Sequence, residues 1–233
     1  MTAAQRKLLL LGLIPVLAVV LGGGAITLST IRGKVDYDFS SEYRQPIELV
    51  TVVSDVPLDI EPSTDGKVHL QVSGTYTDDP PRTDAGTVDG KELKIGVSCR
   101  RSGCEISATV QLPSATSLSV TTSLTSLDLR DLSGRVDLHA DNGSVDGVRL
   151  KSEQVTASVV DGSLDLAFVR GASAVDASTS NGSLHLEVPG TAAYSIDAAA
   201  SGGSTTLGVA NDPSAPNTLK LRTTNGSLTV DPA

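Results

Sequence analysis

The chain has no tryptophan, two phenylalanines, four tyrosines, one methionine and two cysteines among its 233 residues. Aromatic side chains supply much of the buried area in bulky cores. Without them the interior must be built from Val, Leu, Ile and Ala, which suits a thin, layered core. Clustered positive charge is also lacking: 18 Lys and Arg stand against 27 Asp and Glu, a formal charge of −9. A nucleic-acid binder gains affinity by neutralising phosphates with grouped Lys and Arg, so nucleic acid is excluded as a partner. Catalytic motifs are scarce in the same way. There is no G-x-S-x-G elbow, and His69, His139 and His185 are scattered with no repeated Ser/Asp relation. Gly86 to Glu92 (G-T-V-D-G-K-E) has the wrong spacing for a phosphate loop and no Ser or Thr after Lys91. No cofactor and no enzymatic activity are expected.

What is present begins with an apolar run. From Leu8 to Ile31 no residue is charged, enough for the ~20 residues that cross a hydrocarbon layer. Arg6 and Lys7 precede the run, and Arg32, Lys34, Asp36 and Asp38 follow it. The positive-inside rule then leaves the amino terminus in the cytoplasm and the remainder outside. The alternative is a cleaved secretory signal, with Gly23 and Ala25 as its small residues; the run is longer than the usual 7–15-residue signal core, which favours an uncleaved anchor. Either way the rest is exported, with 16 basic and 27 acidic residues. The expected organisation is 1–31 cytoplasmic tip and transmembrane anchor, 32–45 polar juxtamembrane spacer, and 46–233 a β-strand-repeat ectodomain at the cell membrane.

Cys99 and Cys104 enclose Arg100, Arg101, Ser102 and Gly103, between alternating runs at Leu93, Ile95, Val97 and at Ile106, Ala108, Val110, Leu112. The pattern predicts a hairpin with a four-residue loop and the two thiols opposite each other at its neck. In an oxidising compartment they form a disulfide. Two thiolates without nearby histidines make a poor metal site, and C-x₄-C is not the redox spacing C-x-x-C.

The organising feature is a repeat of about 20 residues. Asn142-Gly143-Ser144, Asp161-Gly162-Ser163, Asn181-Gly182-Ser183, Gly202-Gly203-Ser204 and Asn225-Gly226-Ser227 recur at spacings of 19, 20, 21 and 23. Alternation flanks each turn, as in Val175, Ala177, Thr179 before it and Leu184, Leu186, Val188 after it. Two short strands per repeat, each with one buried face, follow from the period of two. Gly supplies the positive backbone angles of the turn without steric cost. Locally, five β-hairpins would satisfy the same pattern. The near-constant repeat length favours a parallel β-solenoid, or β-helix, in which each coil stacks like residues on the next.

Ile47 to Val53 and Val68 to Tyr76 are expected strands of irregular capping coils, and Asp78 to Thr87 an exposed loop. Val209 to Thr218 is a longer excursion before the final coil, whose free edge is expected to be open or covered by a partner.

Three segments carry a family resemblance: V-D-A-S-T-S-N-G-S-L-H-L-E-V-P-G (Val175 to Gly190), D-P-S-A-P-N-T-L-K-L-R-T-T-N-G-S-L-T-V (Asp212 to Val230) and the C-x₄-C segment closing in V-Q-L-P (Val110 to Pro113). The chain resembles the bacterial putative-adhesin family of β-strand-repeat proteins, the domain of unknown function 4097, in its membrane-anchored form. The resemblance covers most of the chain after about residue 45. It implies a β-helical ectodomain on the cell envelope and no established activity. Relatives carry Ser-Gly-Asp where this chain has Asn-Gly-Ser, so turn-borne Asp chemistry does not carry over.

The Asn-Gly-Ser sites at Asn142, Asn181 and Asn225 match a glycosylation acceptor, but turn chemistry at one phase explains them, with Asp161 and Gly202 in the equivalent places. Just after the turns, Asp146, Asp165 and His185 share one phase and form a candidate polar row. Stacked coils would bring them to strand spacing, as a carboxylate pair for carbohydrate cleavage or an Asp/His metal site; a solvated acidic face is the plainer reading and is favoured. The expected function is that of a non-enzymatic, membrane-anchored surface protein binding an envelope component, with an envelope sensor or accessory subunit acting through its span on a membrane protein as the alternative.

Overall fold

The computed structural model describes residues 33–233 other than 101 and 124. The anchor expected at Leu8 to Ile31 and the loop residue Arg101 lie outside the described residues. No helix among the described residues is long and apolar enough to cross a membrane.

Period-two alternation continues almost throughout, and the described chain is all strand and turn. The strands are β1 (Val35–Tyr43), β2 (Leu49–Ser54), β3 (Leu58–Pro62), β4 (Val68–Tyr76), β5 (Arg82–Asp89), β6 (Glu92–Ser98), β7 (Glu105–Leu112), β8 (Ser117–Thr122), β9 (Leu127–Arg130) and β10 (Val136–Asn142). They continue as β11 (Val145–Leu150), β12 (Gln154–Asp161), β13 (Leu164–Phe168), β14 (Ala174–Asn181), β15 (Leu184–Val188), β16 (Tyr194–Ala200), β17 (Thr205–Leu207), β18 (Asn217–Asn225) and β19 (Leu228–Pro232). They form two largely parallel sheets. Sheet A has the order β1-β4-β7-β3-β9-β11-β13-β15-β19-β17, and sheet B the order β16-β18-β14-β12-β10-β8-β2-β6-β5.

Each regular coil gives one strand to each sheet. β10, β12 and β14 stack in parallel register, Val136 on Val155 on Val175 and Leu138 on Ala157 on Ala177. β11, β13 and β15 do the same, with Val145 on Leu164 on Leu184. This arrangement is consistent with the β-solenoid expected from the equal repeats, and the five-hairpin alternative is overturned.

The core lies between the sheets and is aliphatic. Val175, Ala177, Leu184, Leu186 and Val188 are all buried, and Phe168 and Tyr194 are the aromatic rings buried most deeply. Each fully buried Val or Leu contributes about 1.5–3 kcal/mol. Like side chains stacked coil upon coil therefore replace the aromatic residues that the sequence lacks.

Four local expectations are corrected. First, Cys99 to Cys104 is not a hairpin neck: β6 pairs with β2 in sheet B, whereas β7 pairs with β3 in sheet A. The segment is a corner between the sheets, because alternation fixes which face is buried and says nothing about the partner strand. Second, the Asp78 to Thr87 loop becomes strand from Arg82, antiparallel to β6 and joined to it through Gly90 and Lys91. As the outermost strand of sheet B it tolerates the polar sequence that read as loop. Third, β1 occupies most of the stretch read as a spacer and stands at the edge of sheet A beside β4.

Fourth, stacking order departs from chain order at both ends. β2 and β3 lie inside β6 and β7, so the capping end is made by β5 in sheet B and, in sheet A, by β4, which runs antiparallel to β7, with β1 outermost. At the other end β18 and β19 insert against β14 and β15, leaving β16 and β17 outermost. The open edge belongs to the penultimate coil rather than the final one.

Candidate binding face

The predicted turn residues form a column. Asn142, Asp161, Asn181 and Asn225 stand in register on successive coils. The Asn181 Nδ2 donates to Asp161 Oδ1 at 2.6 Å and the Asn225 Nδ2 to Asn181 Oδ1 at 2.8 Å. The following glycines have φ of +124° at Gly143, +150° at Gly162 and Gly182, and +152° at Gly226. Each of the first three donates its N–H to the next coil's turn carbonyl at 2.9 Å: Gly143 to Asp161, Gly162 to Asn181, Gly182 to Asn225. A Cβ on Gly182 would lie 2.6 Å from the Gly162 carbonyl carbon and closer still to its oxygen. Gly143, Gly162, Gly203 and Gly226 are confined in the same way by the neighbouring coil's backbone. Glycine is thus required by close coil approach as well as by turn angle. Gly202 packs over Asn225 at the outer end. The column links successive coils through side-chain and backbone hydrogen bonds.

Cys99 and Cys104 form a disulfide with a Cα–Cα distance of 6.0 Å. Asp55 ties the corner down: it accepts the Cys99 N–H at 2.6 Å and pairs with Arg100 Nε at 3.0 Å. A polar cleft of about 770 Å³ lies beside it, lined by Asp79, Pro80, Pro81, Arg82, Ser98 and Arg100 among others. Its mixed charges favour no single sign of ligand.

The candidate polar row is longer than the sequence indicated. Asp146 pairs in register with Asp165, and Asp165 with His185, as expected. On the other side Asp146 stands beside Asp128, and Asp128 beside Asp59. Four carboxylates and one imidazole therefore run straight across β3, β9, β11, β13 and β15 on the outer face of sheet A, at the ~4.8 Å strand spacing. His185 is followed by Thr229 and then Thr206. A signal for the missing pair existed: Leu58-Asp59-Ile60 and Leu127-Asp128-Leu129 match Leu164-Asp165-Leu166. They precede the first Asn-Gly-Ser turn, so counting from the turns could not reach them.

Electrostatics follow from the row. Partial burial, then the charges of Asp128 and Asp165, push the Asp146 carboxyl above its ordinary range, with Arg130 opposing. Burial, then the charge of Asp128, with a smaller push from Glu61, raise Asp59, again against Arg130. At the far end His185 bridges two carboxylates, Nδ1 3.3 Å from Asp165 and Nε2 3.2 Å from Asp231. Among the described residues no three His, Cys, Asp or Glu side chains are grouped to hold a metal ion. Glycosidase carboxylates flank the scissile bond, whereas these all lie in one line on one sheet face. That geometry suits an extended, charge-complementary contact rather than bond cleavage.

No protein-family model and no curated protein sequence matches the chain. Among solved structures the chain is similar to a putative cell adhesion protein from Clostridium sporogenes, at 13% identity and a TM-score of 0.51, over 86% of this chain and 100% of that one. It is also similar to a putative adhesin from Bacteroides fragilis, at 14% identity and a TM-score of 0.50, over 84% and 97% of the two chains. At these identities the likeness is one of fold. The chain shares a fold with these bacterial proteins described as putative adhesins, and no family model carries the finer resemblance of its repeats.

Proposed function

We propose that the chain is a non-enzymatic, membrane-anchored protein of the bacterial cell envelope. Its parallel β-solenoid is an adhesin-like module that binds another envelope component through the outer face of sheet A. The observation that carries this reading is the unbroken row Asp59, Asp128, Asp146, Asp165 and His185. Repulsion along such a row is relieved when a cationic surface covers it. The charge-free run from Leu8 to Ile31 and the fold shared with adhesin structures support the location and the class.

The test is crosslinking of the intact protein in its native cells, with identification of what is captured. The comparison protein carries Asp128→Asn, Asp146→Asn and Asp165→Asn together. Capture of an envelope component by the wild type and its loss in the triple variant is the expected result. Capture that survives the triple variant but disappears when residues 8–31 are exchanged for an unrelated span would replace this reading with a sensor or accessory subunit acting through its helix.

A further inference from the structure

The two ends of the stack finish differently. One is crossed by the antiparallel strands β4 and β5. At the other, β16 and β17 are the outermost strands of their sheets. β17 has only three residues, which blunts its edge. β16 has seven and is the edge at risk.

A parallel strand turns the backbone groups of alternate residues toward opposite neighbours. Ser201 N–H donates inward to Thr223 O on β18 at 2.9 Å. The even-numbered residues Tyr194, Ile196, Ala198 and Ala200 therefore direct their N–H and C=O groups outward. Two of these four positions are occupied by the excursion between β17 and β18. Ile196 N–H donates to Asn211 Oδ1 at 2.9 Å, and Asn211 Nδ2 donates to Ile196 O at 3.0 Å. Asp212 N–H donates to Tyr194 O at 2.8 Å. The Asn211 amide thus makes both hydrogen bonds that a further strand would make at Ile196. The loop is held in shape by Asp212, which accepts from Ser214 N–H at 2.9 Å and Ser214 Oγ at 2.6 Å. Pro213 and Pro216 bring no N–H with which the loop could recruit another strand in its turn.

We propose that the outer edge of β16 is a latent pairing surface for a second copy of this chain, held shut by Asn211. The same edge on two copies is self-complementary in the antiparallel sense, which is the requirement of a two-fold contact. Asp197 is the one charged residue of the strand, and it is paired with Arg222 of β18. A two-fold contact therefore brings no unpaired like charges together. Ile196, Ala198 and Ala200 alternate on the core side of β16 and would continue the aliphatic core across the junction. With the cap in place only Ala198 and Ala200 remain to pair, too few to offset the freedom lost on association. Without the Asn211 amide Ile196 is freed as well, so three of the four outward positions can pair.

The test uses the full-length chain in detergent, as wild type, Asn211→Ala and Asn211→Asp. Two quantities are read: amide exchange at Ile196 and mass by light scattering across a concentration series. In Asn211→Ala the Ile196 amide should exchange about two- to tenfold faster at low concentration, as expected for one lost hydrogen bond, while Leu221 in β18 is unchanged. Its mass should rise from monomer to dimer with concentration, whereas the wild type stays monomeric. Unchanged Ile196 exchange, or masses equal to wild type at every concentration, overturns the proposal. Should the alanine variant not fold, Asn211→Asp decides. It keeps an acceptor for Ile196 N–H and loses the donor to Ile196 O; in high salt, which screens the added carboxylates, association with Ile196 still protected supports the proposal, and a monomer at every concentration overturns it.

Discussion

Replacing Gly182 by Ala tests whether the turn column holds the coils together or merely reverses the chain. Gly182 has a φ of +150°, in a region that is essentially glycine-only and costs a side-chain-bearing residue about 1–3 kcal/mol. The added Cβ would also lie 2.6 Å from the Gly162 carbonyl carbon, so the two coils must separate at the turn. Separation strains the Gly162 N–H to Asn181 O bond at 2.9 Å and the Asn181–Asp161 amide contact at 2.6 Å, each a net contribution of about 1 kcal/mol. Together the loss is roughly 3–5 kcal/mol, a large part of the 5–15 kcal/mol that typically holds a domain folded. The control is Gly66→Ala: φ is +74°, but a Cβ there meets nothing within 4 Å, so only the left-handed penalty of about 1–2 kcal/mol applies. Urea denaturation followed by far-ultraviolet circular dichroism compares the two, with amide exchange at Leu184 showing where the structure opens. Equal losses in the two variants would refute close coil approach as the reason for glycine in this column.

Two further outcomes follow from the acid row and the corner. Asp146→Asn should stabilise the protein at neutral pH by about 0.2–1 kcal/mol for each like-charge neighbour relieved, and the gain should shrink in high salt. The pH dependence has a definite sign: the folded Asp146 carboxyl is raised, so the native state holds its proton more tightly than the unfolded chain. Wild-type stability from this group is full below the ordinary carboxylate value and falls as pH rises through the raised one; Asp59 acts in the same sense. A gain from Asp146→Asn that persisted at low pH, measured by thermal unfolding, would contradict this. Replacing both Cys99 and Cys104 with Ser should cost about 2 kcal/mol, since the disulfide closes a loop with a sequence separation of only 5. Faster amide exchange should be confined to β6 and β7, and exchange spreading to Leu184 would show that the corner supports the whole stack.

The sequence carried the regular middle of the molecule well because one physical signal was repeated there. Val175, Ala177, Leu184 and Leu186 are buried by period two, and Gly143, Gly162 and Gly182 mark where the chain crosses between sheets. The acid row was half visible for the same reason: Asp146, Asp165 and His185 follow turns of known phase, whereas Asp59 and Asp128 precede them. Strands at the edges were hidden. β1 and β5 are paired on one side only, so charged residues such as Asp36, Asp38 and Asp84 interrupt them without penalty, and they read as spacer and loop.

Neighbour order was hidden for a deeper reason. The turns share the same backbone N–H and C=O, so the column 142, 161, 181, 225 is as well bonded along the backbone as a strictly sequential one would be. What selects the order is the connection between coils. The excursion from Val209 to Thr218 is long enough to pass around the outside of β16, leave Asn211 on its edge and return to place β18 against β14. A short link would have set the final coil on the outside with its edge bare. The insertion that breaks the repeat therefore both reorders the coils and supplies the cap, which ties the length of this irregular segment to how the stack ends.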